Sequence, residues 1–175
     1  TLAQSRQPHD YDAVRDTISA LAARGATDAW IMTAGLAGLG GCHLITAAGF
    51  RAAGRAACAM LALGGAATVV VAASPQPATT HVPAAVVGFV ALATWPAFAP
   101  RSFGAYRWTA LVLLAALAWF GVAVALGPLV GLSERVLAGA EAFTPLALLV
   151  ASMRLSRSAT SPGTAARDDR PPRRT

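Results

Sequence analysis

The sequence predicts an all-α fold, a polytopic bundle of five transmembrane helices, and three observations carry this prediction. Hydrophobic residues make up 55% of the 175 residues and charged residues only 13%, whereas a soluble domain carries about a quarter charged residues. The mean hydropathy is positive. The apolar residues fall into five blocks separated by short junctions, which leaves too little polar surface for a helical protein in water.

Each apolar block is long enough to cross a bilayer, because a hydrocarbon core of about 30 Å requires about 20 helical residues. Pro83 falls in the first turn of the third block, where a missing amide costs little. The fifth block is the weakest, since Glu141 and Pro145 interrupt it. The five predicted spans are residues 29–50, 56–73, 82–99, 108–126 and 136–153.

The distribution of arginine predicts an orientation. All fourteen basic residues are Arg, which together with the high alanine content indicates a bacterial genome. Arginine-rich short loops mark the cytoplasmic side. We therefore expect a multi-pass protein of the bacterial plasma membrane with its N-terminal segment outside and its C-terminal tail in the cytoplasm. The junctions predicted to face inward carry Arg51 and Arg55, Arg101 and Arg107, and Arg154 and Arg157, while junction 74–81 carries none and the fourth junction only Arg135.

The two ends of the chain lie outside the predicted spans. In residues 1–28, Asp12 can cap a short helix over residues 13–24 that Gly25 can end. Val14, Ile18, Leu21 and Ala22 would then share one face, which predicts an amphipathic helix at the outer surface. Residues 154–175 are rich in Pro, Arg and Ser without apolar periodicity, which predicts a disordered basic cytoplasmic tail.

Several classes of function lack a sequence signal. The net charge of +6 is not a nucleic-acid signature, because no stripe of Arg and aromatic residues accompanies it. Cys42 and Cys58 each lie in an apolar run, which indicates small core residues. No phosphate-binding loop or dinucleotide fingerprint occurs, so we expect no cofactor. The expected partner is the lipid bilayer.

Small residues four apart predict close helix packing in the first two spans. The pairs are Ala34 with Gly38, Ala37 with Gly41, and Ala62 with Ala66.

The candidate site residues are Glu141, His81, Asp16 and Ser19. An ionisable group inside a spanning helix is a functional candidate by default, and Glu141 is the only acid so placed in the predicted spans. The alternative for Glu141 is a structural carboxylate that either snorkels toward the membrane surface or pairs with Arg135 six residues earlier. For His81 the alternative is an interfacial residue at a helix start, and Ser19 can equally bond within its own loop.

Depth argues against a site that joins Glu141 to His43. His43 lies fourteen residues after Ala29, or about 21 Å from the outer face. Glu141 lies five residues after Val136, or about 8 Å from that face. A direct contact is therefore excluded unless the fifth helix starts well before Val136. The same depth disfavours a zinc site formed by the three histidines His9, His43 and His81, so no metal site is predicted.

A family resemblance rests on four stretches of sequence. They are YDAVRDTISALAARGATDAWIMTAGLAGLGGCHLITAAGF, GRAACAMLALGGAATVVVAASPQP, His81 with AAVVGFVALATWPAFA, and GLSERVLAG. In this order they resemble the bacterial family called domain of unknown function 998, from Gln7 to Met153. The resemblance implies a six-helix membrane protein with no assigned reaction, of which this sequence would lack the first helix.

Two hypotheses of function follow. In the first, the chain is a non-enzymatic membrane module with a structural, lipid-interacting or partner-binding role. In the second, it is a membrane enzyme or small transporter that uses an outward-facing polar pocket around His81 and Glu141, with Asp16 and Ser19 contributed by the N-terminal segment.

Overall fold

The computed structural model describes residues 2–7, 11–100 and 104–160, the last six without their side chains. All regular elements in these ranges are helices. The α-helices are α1 (Leu2–Ser5), α2 (Ala29–Gly49), α3 (Arg55–Ala73), α4 (His81–Thr94), α5 (Gly104–Leu126) and α6 (Val130–Thr160). Short 3-10 turns cover Ser19–Ala22, Arg51–Ala53 and Trp95–Phe98.

The predicted all-α membrane bundle is confirmed. Five helices in the described part of the chain are long and apolar enough to cross a membrane, namely α2, α3, α4 with its following 3-10 turn, α5, and α6 as far as Arg154. Large apolar side chains cover their outward surfaces; Ile45 on α2 is 75% exposed and Val112 on α5 is 62% exposed. Hydrocarbon solvates such a surface and water does not, so the chain is a multi-pass membrane protein.

Short connections make successive helices antiparallel neighbours, and α6 also contacts α2 and α4. The end of the bundle at which α2, α4 and α6 begin is called the proximal end below. At the opposite end the aromatic rings of Phe50 and Tyr106 pack edge-on against Trp95, which is fully buried. This cluster ties α3, α4 and α5 together away from the proximal end.

The last helix differs from its predicted bounds. It begins at Val130, six residues before the predicted start at Val136. It also continues to Thr160, so the first residues assigned to the basic tail are helical. The remainder of that tail, residues 161–175, lies outside the described residues.

Helices α2 and α3 meet at glycines other than those predicted. A β-carbon on Gly40 would lie 2.7 Å from the Gly65 carbonyl oxygen, and one on Gly65 would lie 2.8 Å from the Gly40 carbonyl oxygen. The predicted seams at Ala34/Gly38 and Ala62/Ala66 were wrong, because Ala34, Gly38 and Ala66 are exposed. A β-carbon on Gly38 or Gly41 would likewise meet no atom within 4 Å in the described part of the chain.

The N-terminal segment, defined here as residues 11–28, crosses the proximal end of the bundle. The Arg24 amide donates to the Gln76 carbonyl in the α3–α4 connection at 3.0 Å. The Leu132 amide of α6 donates to the Val14 carbonyl at 3.0 Å. The predicted amphipathic helix over residues 13–24 was wrong, since only Ser19–Ala22 forms a short 3-10 turn.

Candidate functional site

The first turns of α6 hold the N-terminal segment through a buried carboxylate. Glu134 is 4% exposed. Its Oε2 accepts a hydrogen bond from the Ile18 amide at 2.5 Å, and its Oε1 accepts one from the Ser19 hydroxyl at 3.4 Å. These donors offset the free-energy cost of burying a carboxylate. Glu134 therefore fixes the position of Ile18 and Ser19 above the bundle.

The next residue, Arg135, holds the preceding part of the segment. Its Nη1 donates to the carbonyl oxygens of Ala13 at 2.8 Å and Asp16 at 2.9 Å, and to that of Gly131 at 2.8 Å. Its Nη2 donates to the Tyr11 hydroxyl. Because Nη1 carries two N–H groups, one of them is shared between two of the three carbonyl oxygens. Burial raises the pKa of Tyr11, although the nearby Arg135 charge opposes that rise.

Gly131 allows the segment to lie directly on α6. A β-carbon at this position would overlap the Asp16 carbonyl oxygen and lie 2.7 Å from the Ala13 carbonyl oxygen. Any larger residue would therefore push the segment away. The contact of residues 11–19 with residues 131–135 is called the clasp below.

Beneath the clasp, α2, α3, α4 and α6 enclose a cavity of about 60 Å³. A water molecule needs about 10–15 Å³ of cavity volume measured in this way, so the cavity has room for a few waters or a small chemical group. Ile18 and Ser19 of the clasp line its proximal side. The helical residues that line it are Leu36, Leu39, His43, Thr68, Val71, Ala85, Gly88, Phe89, Leu92, Glu134, Ala138, Glu141 and Ala142.

Two ionisable side chains, His43 and Glu141, line the deep part of this cavity, whose other polar lining residues are Ser19, Thr68 and Glu134. His43 is 3% exposed and Glu141 is 2% exposed. His43 Nδ1 donates to the Leu39 carbonyl at 2.9 Å. His43 Nε2 and Glu141 Oε1 are buried without a hydrogen-bond partner in the described part of the chain. Buried polar atoms of this kind are rare in folded proteins and require an explanation, such as an ordered water or a bound ligand.

Because α6 begins earlier than predicted, Glu141 lies at nearly the same depth as His43. The large difference in depth that the sequence predicted was therefore wrong. Glu141 lies eleven residues after Val130, or about 17 Å from the proximal end. His43 lies fourteen residues after Ala29, or about 21 Å from the same end. Both side chains are thus near the middle of a hydrocarbon core of about 30 Å.

The four predicted site residues divide into two pairs. Glu141 and Ser19 line the cavity, whereas His81 and Asp16 are not among its lining residues. His81 is buried, and its Nδ1 donates to the Ser74 carbonyl at 2.7 Å. Asp16 accepts a hydrogen bond from the Asp12 amide at 2.8 Å.

Two further arrangements considered from the sequence are not found among the described residues. Ser19 donates to Glu134 and makes no hydrogen bond to His81 or Asp16. Glu141 is not paired with Arg135, whose hydrogen bonds go to the clasp and to Gly131.

The described ranges contain no cluster of three or more His, Cys, Asp or Glu residues that could hold a metal ion; His9 lies outside them. Cys58 is half-buried and its thiol donates to the Phe50 carbonyl at 3.1 Å. Cys42 is exposed on α2, so its predicted place in a core was wrong.

His43 and Thr68 line the cavity, but neither was predicted from the sequence as a member of the site. The Thr68 hydroxyl donates to the Gly64 carbonyl at 2.9 Å. Toward the cavity it can therefore only accept a hydrogen bond. The position of His43 in the middle of an apolar span was the available signal, because ionisable residues at that depth are rare.

Comparison with known families and proteins adds one match. Residues 1–151 match the model of a family described as protein of unknown function (DUF998). No curated protein matches the chain, and no solved structure does.

Proposed function

The chain belongs to the DUF998 family, and from that membership and the geometry of the cavity we propose that it is a non-enzymatic, lipid-interacting membrane module. In this proposal the cavity between α2, α3, α4 and α6 receives part of a lipid-like ligand. The clasp forms the proximal wall of the binding site.

The observation that carries the proposal is the pair of unpartnered polar atoms in one apolar cavity at mid-membrane depth. A polar group that stays without a partner when buried costs about 1–3 kcal/mol. His43 Nε2 and Glu141 Oε1 together represent a substantial loss of stability unless something in the cavity bonds to them. Ligand sites have this composition: mostly apolar walls with a few polar groups that fix orientation.

The apolar rim of the cavity favours a ligand that enters from the membrane. Its rim residues are half-buried and apolar, and they come from three different helices: Leu36, Leu39, Ala85, Phe89, Ala138 and Ala142. A hydrocarbon chain can lie along such a rim without exposing polar backbone. A water-soluble substrate would find no charged surface there.

The alternative is an enzyme or small transporter with a pocket around His81 and Glu141. We favour it less, because Glu141 lines the cavity and His81 does not. His81 Nε2 is also buried without a hydrogen-bond partner among the described residues, but it lies outside that cavity. The hydroxyl of Ser19, another candidate site residue, donates to Glu134, which is part of the clasp.

We further propose that the proximal end faces outward from a bacterial plasma membrane. Arg51 and Arg55 lie exposed at the opposite end, and arginine in short loops marks the cytoplasmic side. Single cysteines in a chain with Cys42→Ala and Cys58→Ala test this. A membrane-impermeant maleimide added to intact cells should label Thr79→Cys and spare Arg51→Cys; the reverse pattern would refute the orientation.

The proposed function can be tested with a long-chain hydrocarbon that carries a photoactivatable diazirine. The purified chain is reconstituted in phospholipid vesicles with this probe and irradiated, and labelled residues are mapped by peptide mass spectrometry. We expect labels on the cavity-lining faces of α2 and α6 in addition to the exposed faces of the bundle.

Two variants of α6 supply the control. Ala138 lines the cavity, so Ala138→Phe should remove the cavity labels. Val136 is 44% exposed on the same helix, so Val136→Phe should leave them unchanged. Labels confined to exposed faces, with no effect of Ala138→Phe, would refute a binding role for the cavity.

A further inference from the structure

The tautomer of His43 is fixed by its backbone contact. A carbonyl oxygen can only accept a hydrogen bond, so the Nδ1 atom that contacts the Leu39 carbonyl at 2.9 Å carries a proton. In the neutral imidazole the other ring nitrogen then has a lone pair and no proton. His43 therefore offers the cavity a hydrogen-bond acceptor, Nε2, which has no partner among the described residues.

Glu141 offers the opposite property. An ionised carboxylate at mid-membrane depth requires a cation or several hydrogen-bond donors. In the described ranges Glu141 Oε1 has none, and the nearest arginine in sequence, Arg135, is engaged by the clasp. In the neutral acid the carboxyl group carries one O–H donor.

An acceptor on α2 and a donor on α6 thus line the same small cavity. We propose that this cavity binds the hydroxyl group of an uncharged, long-chain amphiphile, with the ligand O–H donating to His43 Nε2 and the ligand oxygen accepting from the Glu141 carboxyl. The inference rests on the proposed lipid-interacting function and specifies its ligand class. A hydroxyl is the smallest group that donates and accepts at once.

The depth and polarity of the cavity disfavour a charged headgroup. A volume of about 60 Å³, the space of a few water molecules, accommodates a hydroxyl and a few methylene groups. A formal charge at this depth would also lack a counter-charge. The half-buried rim residues, such as Leu39 and Ala142, leave a path for the rest of the chain toward the lipid.

The test compares two diazirine probes of equal chain length, a primary alcohol and its methyl ether, with the chain reconstituted in phospholipid vesicles. The ether retains the oxygen acceptor but cannot donate to His43. We expect cavity labelling by the alcohol to exceed that by the ether about fivefold, the effect of one hydrogen bond of typical net strength. Labels on the exposed faces of α5 should be equal for both probes.

Variants at Glu141 and His43 separate hydrogen bonding from shape. His43→Leu should remove the preference for the alcohol, because only the alcohol can donate to His43. Glu141→Leu should reduce cavity labelling by both probes, whereas Glu141→Gln keeps an N–H donor and should retain labelling by both. Thr144→Val is the matched control, because Thr144 is a buried polar residue of α6 outside the cavity lining. It should leave the preference unchanged.

The outcomes distinguish the inference from the proposed function. Equal cavity labelling by alcohol and ether, abolished for both by Ala138→Phe, would overturn the hydroxyl assignment and leave lipid binding intact. Absence of cavity labelling by either probe would overturn both and leave ordered water as the occupant. The ratio of alcohol to ether labelling in the wild-type chain tests the hydroxyl assignment even if the leucine variants fail to fold.

Discussion

Gly131 of α6 lies directly against Asp16 of the N-terminal segment, so closely that a β-carbon on Gly131 would overlap the Asp16 carbonyl oxygen. This contact is the centre of the clasp. It places Glu134 and Arg135 where they replace water as hydrogen-bond partners of the segment's backbone. The clasp thereby determines both the course of residues 11–19 and the point at which α6 begins.

Gly131→Ala should loosen the clasp, because the added methyl group meets backbone atoms that cannot move without breaking the Arg135 hydrogen bonds. Overpacking of this kind costs about 1–3 kcal/mol. We expect faster cleavage by trypsin at the exposed Arg15 and Arg24 in the detergent-solubilised protein. A β-carbon on Gly139 of the same helix would meet no atom of the described residues within 4 Å, so Gly139→Ala should be cleaved at the wild-type rate. Equal cleavage rates for the wild type and both variants would contradict the contact of Gly131 with Asp16.

Glu134→Ala should free the segment more completely than Glu134→Gln. The alanine variant leaves the Ile18 amide without its acceptor, a loss of about 1–3 kcal/mol, whereas glutamine retains one carbonyl oxygen for that bond. Hydrogen exchange at the Ile18 amide, followed by mass spectrometry of the 11–28 peptide, measures the difference. Protection unchanged in Glu134→Ala would show that another group holds Ile18.

Tyr11 gives the clasp a dependence on alkaline pH. Because burial raises its pKa above the unfolded value of 10.0, the folded protein holds the phenol proton more tightly than the unfolded chain does. The associated stability is present below about pH 10 and is lost as the pH rises through the folded-state pKa. The melting temperature in detergent should fall more steeply above about pH 10 in the wild type than in Tyr11→Phe; parallel curves would rule out this role.

Gly65→Val should separate α2 from α3. A β-carbon there would lie 2.8 Å from the Gly40 carbonyl oxygen and 2.9 Å from the His43 β-carbon, so the added side chain would displace backbone and His43 together. We expect a lower melting temperature in detergent, corresponding to about 1–3 kcal/mol. Gly121→Val on α5 is the control, because a β-carbon there would meet nothing within 4 Å among the described residues. An equal shift in both variants would argue against the Gly40–Gly65 crossing.

The five spans could be predicted because membrane insertion depends on local hydropathy, which the sequence states directly. The start of α6 could not be predicted in this way. Ser133, Glu134 and Arg135 are polar, and polarity before an apolar run is typical of a loop. In the folded chain these residues are helical because the N-terminal segment satisfies Glu134 and Arg135. That partner is more than a hundred residues away in sequence.

The same tertiary contact explains the missing amphipathic helix. Residues 13–24 have helical periodicity, yet the carbonyls of Ala13 and Asp16 bond to Arg135 and the Ile18 amide bonds to Glu134. Backbone groups that already have these hydrogen-bond partners do not require a helix to supply them. The six-residue shift in α6 moves Glu141 about 9 Å deeper, to nearly the depth of His43 in the cavity lining.

A cross-link between positions 43 and 141 tests most directly whether His43 and Glu141 share one cavity. His43→Cys with Glu141→Cys is introduced into a chain with Cys42→Ala and Cys58→Ala, and membranes are treated with a short bifunctional maleimide. We predict an intramolecular link across the cavity, and none when Cys replaces Ile45, which is 75% exposed on α2, in place of His43. Equal or greater linking of the position 45 pair would contradict a shared cavity for His43 and Glu141.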